Sequence, residues 1–357
     1  MHRGGRPARS LRTITGRSNK IGTSRVDAAL QLTEVPGKPM LSEFELIAKY
    51  FDRPTRHTVL GVGDDAALLT LTAGHELVAS IDTMVEGVHF FPDVGADSLG
   101  HKALAINLSD LAAMGATPKW AMLALTVPST DETWLEGFAR GFFALAAEHD
   151  VDLIGGDTAR GPRNICVQIM GEVLQGRALR RDGARVGDDI WVSGHVGDAA
   201  AAVAHLKGEI TLRGSLLAHC LARLERPAPR VALGRMLIGV ANSAIDISDG
   251  LIADLGHICD RSAVGAAIEF AAIPCSAELM PLRGQARVAR AILTGGDDYE
   301  LCFTAVAGRR SAIEALSGQA GLALTRIGSI VAGKGVVVMN QAGKPMSVKD
   351  GGFDHFR

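Results

Sequence analysis

Five apolar runs in this chain lead straight into aspartate, and glycine stands beside four of them. The segments are Gly63-Asp64-Asp65, Gly155-Gly156-Asp157, Asp246-Ile247-Ser248-Asp249-Gly250 and Gly295-Gly296-Asp297-Asp298, with Ser80-Ile81-Asp82 as the fifth. The apolar runs have strand character at 77–81, 120–127, 153–154, 165–173, 190–192, 244–245, 299–304 and 335–339. Helical periodicity falls between them at 98–114, 132–148, 230–240 and 251–259. Alternating strands and helices favour an α/β architecture, with α+β mixing. A carboxylate at a strand end faces the crevice where such folds bind ligands, and glycine lets backbone and ligand approach closely. One Gly-Asp pair is an ordinary turn; five after apolar runs point to a site.

The 357 residues suffice for two cores, and a 47% hydrophobic content argues against wholesale disorder. No apolar run reaches the ~18 residues of a membrane span. A net charge of −2 provides no field drawing the chain to nucleic acid or lipid. Cys166, Cys220, Cys259, Cys275 and Cys302 lack CxxC spacing and read as buried thiols of a reducing cytoplasm. Residues 1–39 carry eight Lys or Arg against two acids and no periodicity. We expect a disordered basic extension there, or translation from Met40. Order is expected from Ser42, where Ser42-Glu43-Phe44-Glu45 has capping-box spacing and Phe44, Ile47 and Phe51 share a helical face. The polar, glycine-bearing stretch 174–186 divides an N-terminal domain, 40–174, from a C-terminal one, 175–357.

Asp110 adds a carboxylate within a helix, on the same face as Asn107. Carboxylates converging on one site need positive charge, since two unit charges 4 Å apart interact by ~4 kcal/mol at an effective dielectric of 20. Oxygen-only ligation selects hard cations, Mg²⁺ first, and magnesium among aspartates commonly holds phosphates. Phosphoryl transfer is therefore the expected reaction class. The GxxxxGK[ST] phosphate loop, the HRD and DFG kinase motifs and the GxSxG elbow are all missing. Gly61-Val62-Gly63-Asp64-Asp65-Ala66 loosely fits a dinucleotide fingerprint, but its two acids would repel a pyrophosphate. An arginine from Arg177, Arg180 and Arg181 could help to hold a nucleotide. His89, just past Asp82, is positioned to meet a substrate phosphate.

Segments 61–69, 107–116, 153–158, 244–251 and 298–303, in this order, resemble the thiamine-monophosphate kinase family. The likeness runs from about Leu41 to Phe356. It implies the two-domain architecture shared with aminoimidazole ribonucleotide synthetase: an N-terminal domain whose strands form a dimer-spanning β-barrel, and a C-terminal α/β domain. It implies several Mg²⁺ ions on Asp65, Ser80, Ile81 (by its carbonyl), Asp82, Asp110, Asp157, Asp246 and Asp249. ATP would lie at Gly156, Asp157, Arg181 and Ser248, and thiamine monophosphate at His89, Asp297 and Phe353. Asp297 stands where the family has Glu, and Phe353 where it often has Tyr.

The resemblance further implies a cytoplasmic homodimer that phosphorylates thiamine monophosphate to thiamine diphosphate. The acceptor phosphate is already an anion, so direct in-line transfer needs no general base, and none is evident. Alternatives are another ATP-dependent synthetase of this fold, a dinucleotide oxidoreductase, and a non-catalytic nucleotide or metal sensor.

Overall fold

The computed structural model describes residues 41–348. The basic segment 1–39 and Phe353 lie outside them. The described residues open with α1 (Glu43–Tyr50), β1 (Thr58–Leu60), β2 (Leu68–Leu69), β3 (His75–Val85), α2 (Ala96–Ala113), β4 (Thr117–Val127), α3 (Glu132–Glu148), β5 (Asp152–Arg160) and β6 (Asn164–Leu174). It continues with β7 (Asp188–Ser193), α4 (Asp198–Leu206), α5 (Gly214–Glu225), α6 (Val231–Leu237), β8 (Ser243–Asp246), α7 (Leu251–Ser262) and β9 (Gly265–Glu269). The last elements are α8 (Ala286–Thr294), β10 (Leu301–Val306), α9 (Arg310–Ala320), β11 (Leu324–Val331) and β12 (Gly335–Met339).

The N-terminal half is built on an open four-stranded sheet, β3-β6-β4-β5, in which only β4 and β5 run parallel. Among the described residues no closed barrel forms within one chain. The C-terminal half has a six-stranded sheet, β12-β9-β11-β7-β10-β8, antiparallel except for the β12–β9 pair. The expected two-domain α/β arrangement is therefore present.

Helix α2 is the central strut. Leu99, Leu104, Leu108 and Leu111 are fully or almost fully buried, and so are Lys102, Asn107 and Ser109. A helix covered nearly all round belongs to a protein interior. Its surroundings include β4 and α3 on one side, and Leu233, Leu237 and Phe303 of the C-terminal half, all in one apolar cluster. A second cluster fills the space between the six-stranded sheet, α7 and α8.

At α1 both reciprocal bonds of the capping box form: Glu45 N–H donates to Ser42 Oγ, and Ser42 N–H donates to the Glu45 carboxylate. The buried face differs from expectation. Phe44 is 81% exposed, while Leu46 and Tyr50 turn inward with Phe51, because α3 lies against that side of the helix. Ser42→Ala should lower stability by about 1 kcal/mol, read from a denaturant midpoint, since Glu45 N–H loses its acceptor.

Two aspartates expected at strand ends lie inside strands. Asp82 is within β3, whose ladder with β6 continues to Val85. Asp157 is within β5, which bulges at Ile154 against β4 and runs on in register through Gly155-Gly156. Asp246 does end its strand, β8. Four of the five cysteines are buried and Cys166 is half-buried; all are free thiols. Among the described residues no helix is long and apolar enough to cross a membrane.

Candidate active site

A cavity of about 610 Å³ opens between the two halves, of a size suited to small ligands. Asp82, Asp110, Asp246 and Asp249 line it, together with Ser248, His89 and Asp297. Strand β3 points Ser80 and Asp82 to the α2 side of the sheet, and α2 supplies Asp110. The end of β8 and the loop after it supply Asp246, Ser248 and Asp249.

These carboxylates disturb one another. Burial, then the charges of Asp110 and Asp249, push Asp82 up to about 7. Burial raises Asp110 as well, against the pull of the Ser80 hydroxyl, 2.5 Å away, and of Arg181. Asp246 is raised by burial and by Asp110, although Ser109 Oγ donates to it at 2.8 Å. Acids whose charged forms are disfavoured chiefly by burial, and for Asp82 and Asp246 also by neighbouring carboxylates, are suited to receive a cation. The donors are all oxygens, as magnesium requires. Among the described residues no three Asp, Glu, His or Cys side chains form a ready cage.

Other expected ligands are elsewhere. Asp65 is exposed in the loop between β1 and β2, and Asp157 is exposed on β5; neither lines the cavity. The Ile81 side chain points outward, 59% exposed. Gly156 is also exposed, and its glycine is structural: a Cβ there would lie 1.8 Å from the Leu123 carbonyl oxygen. Arg181, exposed in a short 3-10 turn, is near enough to act electrostatically on Asp110.

His89 accepts a hydrogen bond at Nδ1 from Val85 N–H, 2.9 Å away. Its ring proton is therefore on Nε2 when the ring is neutral, making that nitrogen a donor. Asp297 does not stand free. Its Oδ1 is 3.0 Å from the buried Lys102 Nζ and accepts from the Tyr299 hydroxyl at 3.1 Å. Burial and neighbouring carboxylates raise the Tyr299 phenol well above its usual range, which keeps it a donor.

Sequence reasoning missed Lys102 and Tyr299. For Lys102 a signal existed: Lys102, Ile106 and Asp110 recur every four residues along α2, and all three line the cavity.

Residues 63–173 match the family AIR synthase related protein, N-terminal domain, and 185–340 match its C-terminal domain. Fold, acid-lined cleft and these matches define the class as AIR synthase related. Thiamine-monophosphate kinase of Escherichia coli (strain K12) is 46% identical over 318 residues, covering 88% of this chain and 98% of that protein. A crystal structure of thiamine-monophosphate kinase from Stenotrophomonas maltophilia K279a is 50% identical with TM-score 0.75, covering 83% of this chain and 94% of that one. AaThiL complexed with AMPPCP and TMP is 32% identical with TM-score 0.71, covering 83% of this chain and 92% of that one. The chain belongs to the thiamine-monophosphate kinase family.

Proposed function

We propose that this protein transfers the γ-phosphoryl group of ATP to the phosphate of thiamine monophosphate, giving ADP and thiamine diphosphate. The observation that carries the reading is the grouping of Asp82, Asp110, Asp246 and Asp249 with the donors His89 and Lys102 around one cavity. A phosphate oxygen of thiamine monophosphate forms the new bond to the γ-phosphorus, and the oxygen bridging to the β-phosphate leaves with ADP. The acceptor oxygen is already unprotonated at neutral pH, so no side chain has to remove a proton.

The difficulty lies in bringing two anions into line. His89 Nε2–H is placed to donate to the acceptor phosphate. Lys102 brings a buried positive charge to the same wall and holds Asp297, whose position orients the thiamine end. Phe353 is proposed to complete that end with a stacking ring. Asp82, Asp110, Asp246 and Asp249 would hold Mg²⁺, with Ser80 orienting Asp110. Bound Mg²⁺ would neutralise phosphate charge and help to align the oxygens. Gly156, Asp157 and Arg181, with Ser248, are proposed for the nucleotide, and Asp65 and Asp157 for its Mg²⁺.

A homodimer in the cytoplasm and a domain boundary near 174 belong to the same proposal. In favour of the dimer, the outer face of edge strand β3 leaves Leu77 and Ile81 47% and 59% exposed. A second sheet laid on that face would cover them and complete a barrel between two chains.

One assay tests the reaction: purified protein with ATP, Mg²⁺ and thiamine monophosphate, followed by chromatography. Thiamine diphosphate forming in step with ADP is expected. ADP released without it would indicate a different acceptor, and ATP bound but unchanged would indicate a sensor.

A further inference from the structure

The loop that carries Ser248 and Asp249 is held from beneath by a residue outside the cavity. Three consecutive backbone N–H groups, those of Ser248, Asp249 and Gly250, converge on a single atom, Asp254 Oδ2, at 3.0, 3.1 and 3.0 Å. Asp254 lies just inside the start of α7, whose N-cap position is held by Gly250 with no side-chain cap of its own. At 2% exposure the carboxylate is shut away from solvent. It reaches back along the helix axis and satisfies donors that would otherwise be orphaned there.

Converging successive N–H groups at a helix start form a concavity suited to an anion, and nucleotide-binding proteins commonly fill it with a phosphate oxygen. In this chain it is filled already. The loop is fixed from its other side too. Asp297 N–H donates to the Ser248 carbonyl at 2.9 Å, and Tyr299 N–H donates to the Ile247 carbonyl at 2.8 Å. Only glycine allows that contact at 296, where a Cβ would lie 2.2 Å from the Ser248 oxygen.

We propose that Asp254 is a positioning residue for the nucleotide end of the site: it locks the 246–250 loop so that Ser248 and Asp249 face the cavity. In doing so it withholds the loop amides from the phosphates. The nucleotide's charge is then met by side-chain donors and carboxylate-held cations, which explains how the protein manages without a glycine-rich phosphate loop. This inference rests on the kinase reading given above.

Because all three bonds end on one oxygen, Asp254→Asn can keep the acceptor while Asp254→Ala removes it. Asp254→Ala is expected to raise KM for Mg·ATP about 10-fold while KM for thiamine monophosphate stays within about twofold, the tenfold change being one decade of binding. Asp254→Asn should stay within about threefold of the parent in both. A merely structural role predicts loss of folded protein with both KM values unchanged or rising together, and that outcome overturns the proposal. So does an Asp254→Asn variant as impaired as Asp254→Ala at equal melting temperature.

Amide hydrogen exchange on the unmodified, nucleotide-free protein decides the matter even if Asp254→Ala does not fold. The amides of 248–250 should exchange about 100-fold more slowly than in an open chain. Amides that exchange freely until Mg·AMPPCP is added would show that the concavity belongs to the nucleotide, and would sink the proposal. Failure of the unmodified protein to form thiamine diphosphate would overturn the kinase reading; the exchange result would still decide what Asp254 does to the loop.

Discussion

Asp82→Asn is expected to slow thiamine diphosphate formation by about 100-fold or more, the scale of losing one electrostatic stabiliser of a transition state. Stability should hold or rise. Asp82 is raised to about 7 by burial and by the charges of Asp110 and Asp249, so the folded protein strains to keep it ionised. An amide of the same shape removes that repulsion together with the ligand. Steady-state rates at saturating ATP, alongside a melting temperature, check both halves; near-normal turnover would remove Asp82 from the site. Asp157→Asn belongs in the same experiment. Asp157 is exposed and does not line the cavity, so a comparable loss there would place its β5 carboxylate at the nucleotide.

Glu300→Ala should destabilise the fold by about 3–5 kcal/mol, the usual result of removing one partner from a buried charge network. Glu300 has no exposed surface. Ser193 Oγ donates to it at 2.6 Å, Arg223 Nη2 at 2.8 Å and Arg230 Nε at 2.6 Å. Alanine would leave both half-buried guanidinium groups without the carboxylate that pairs them. The loss should appear as a lower denaturant midpoint with KM values intact, because none of these side chains lines the cavity.

Local chemistry explains what could be read from the sequence. Helix 132–148 was legible from its periodicity, and Asp131 fixes its start by accepting from Thr133 and Trp134 N–H. The capping box at Ser42 was equally plain. Its buried face was not, since Leu46 and Phe44 are alike in polarity and only the position of α3 chooses between them.

Glycine misled in the strands. Gly155-Gly156 reads as the end of a strand, yet ladder pairing with β4 carries the strand onward and leaves Asp157 within it. The acids around the cavity could be found because carboxylates are conspicuous beside apolar runs. Their partners were harder to find. Lys102 pairs with Asp297 across 195 positions of chain, and Asp254 acts through backbone amides that no side-chain pattern reveals.

Helix α2 has one more consequence. Its buried surface contributes to a single apolar interior that includes Leu104 and Phe138 from the first half and Leu237 and Phe303 from the second. At Gly234 of α6 a Cβ would lie 2.0 Å from the Ala112 carbonyl oxygen, so the two backbones nearly touch. Such an interior has no seam along which the halves could swing apart. The polar stretch at 174–186, proposed above as a boundary, is thus bridged by shared packing, and the molecule should melt in one cooperative step. Substrates must enter a cleft that already stands open, and any gating falls to the side chains and loops at its mouth.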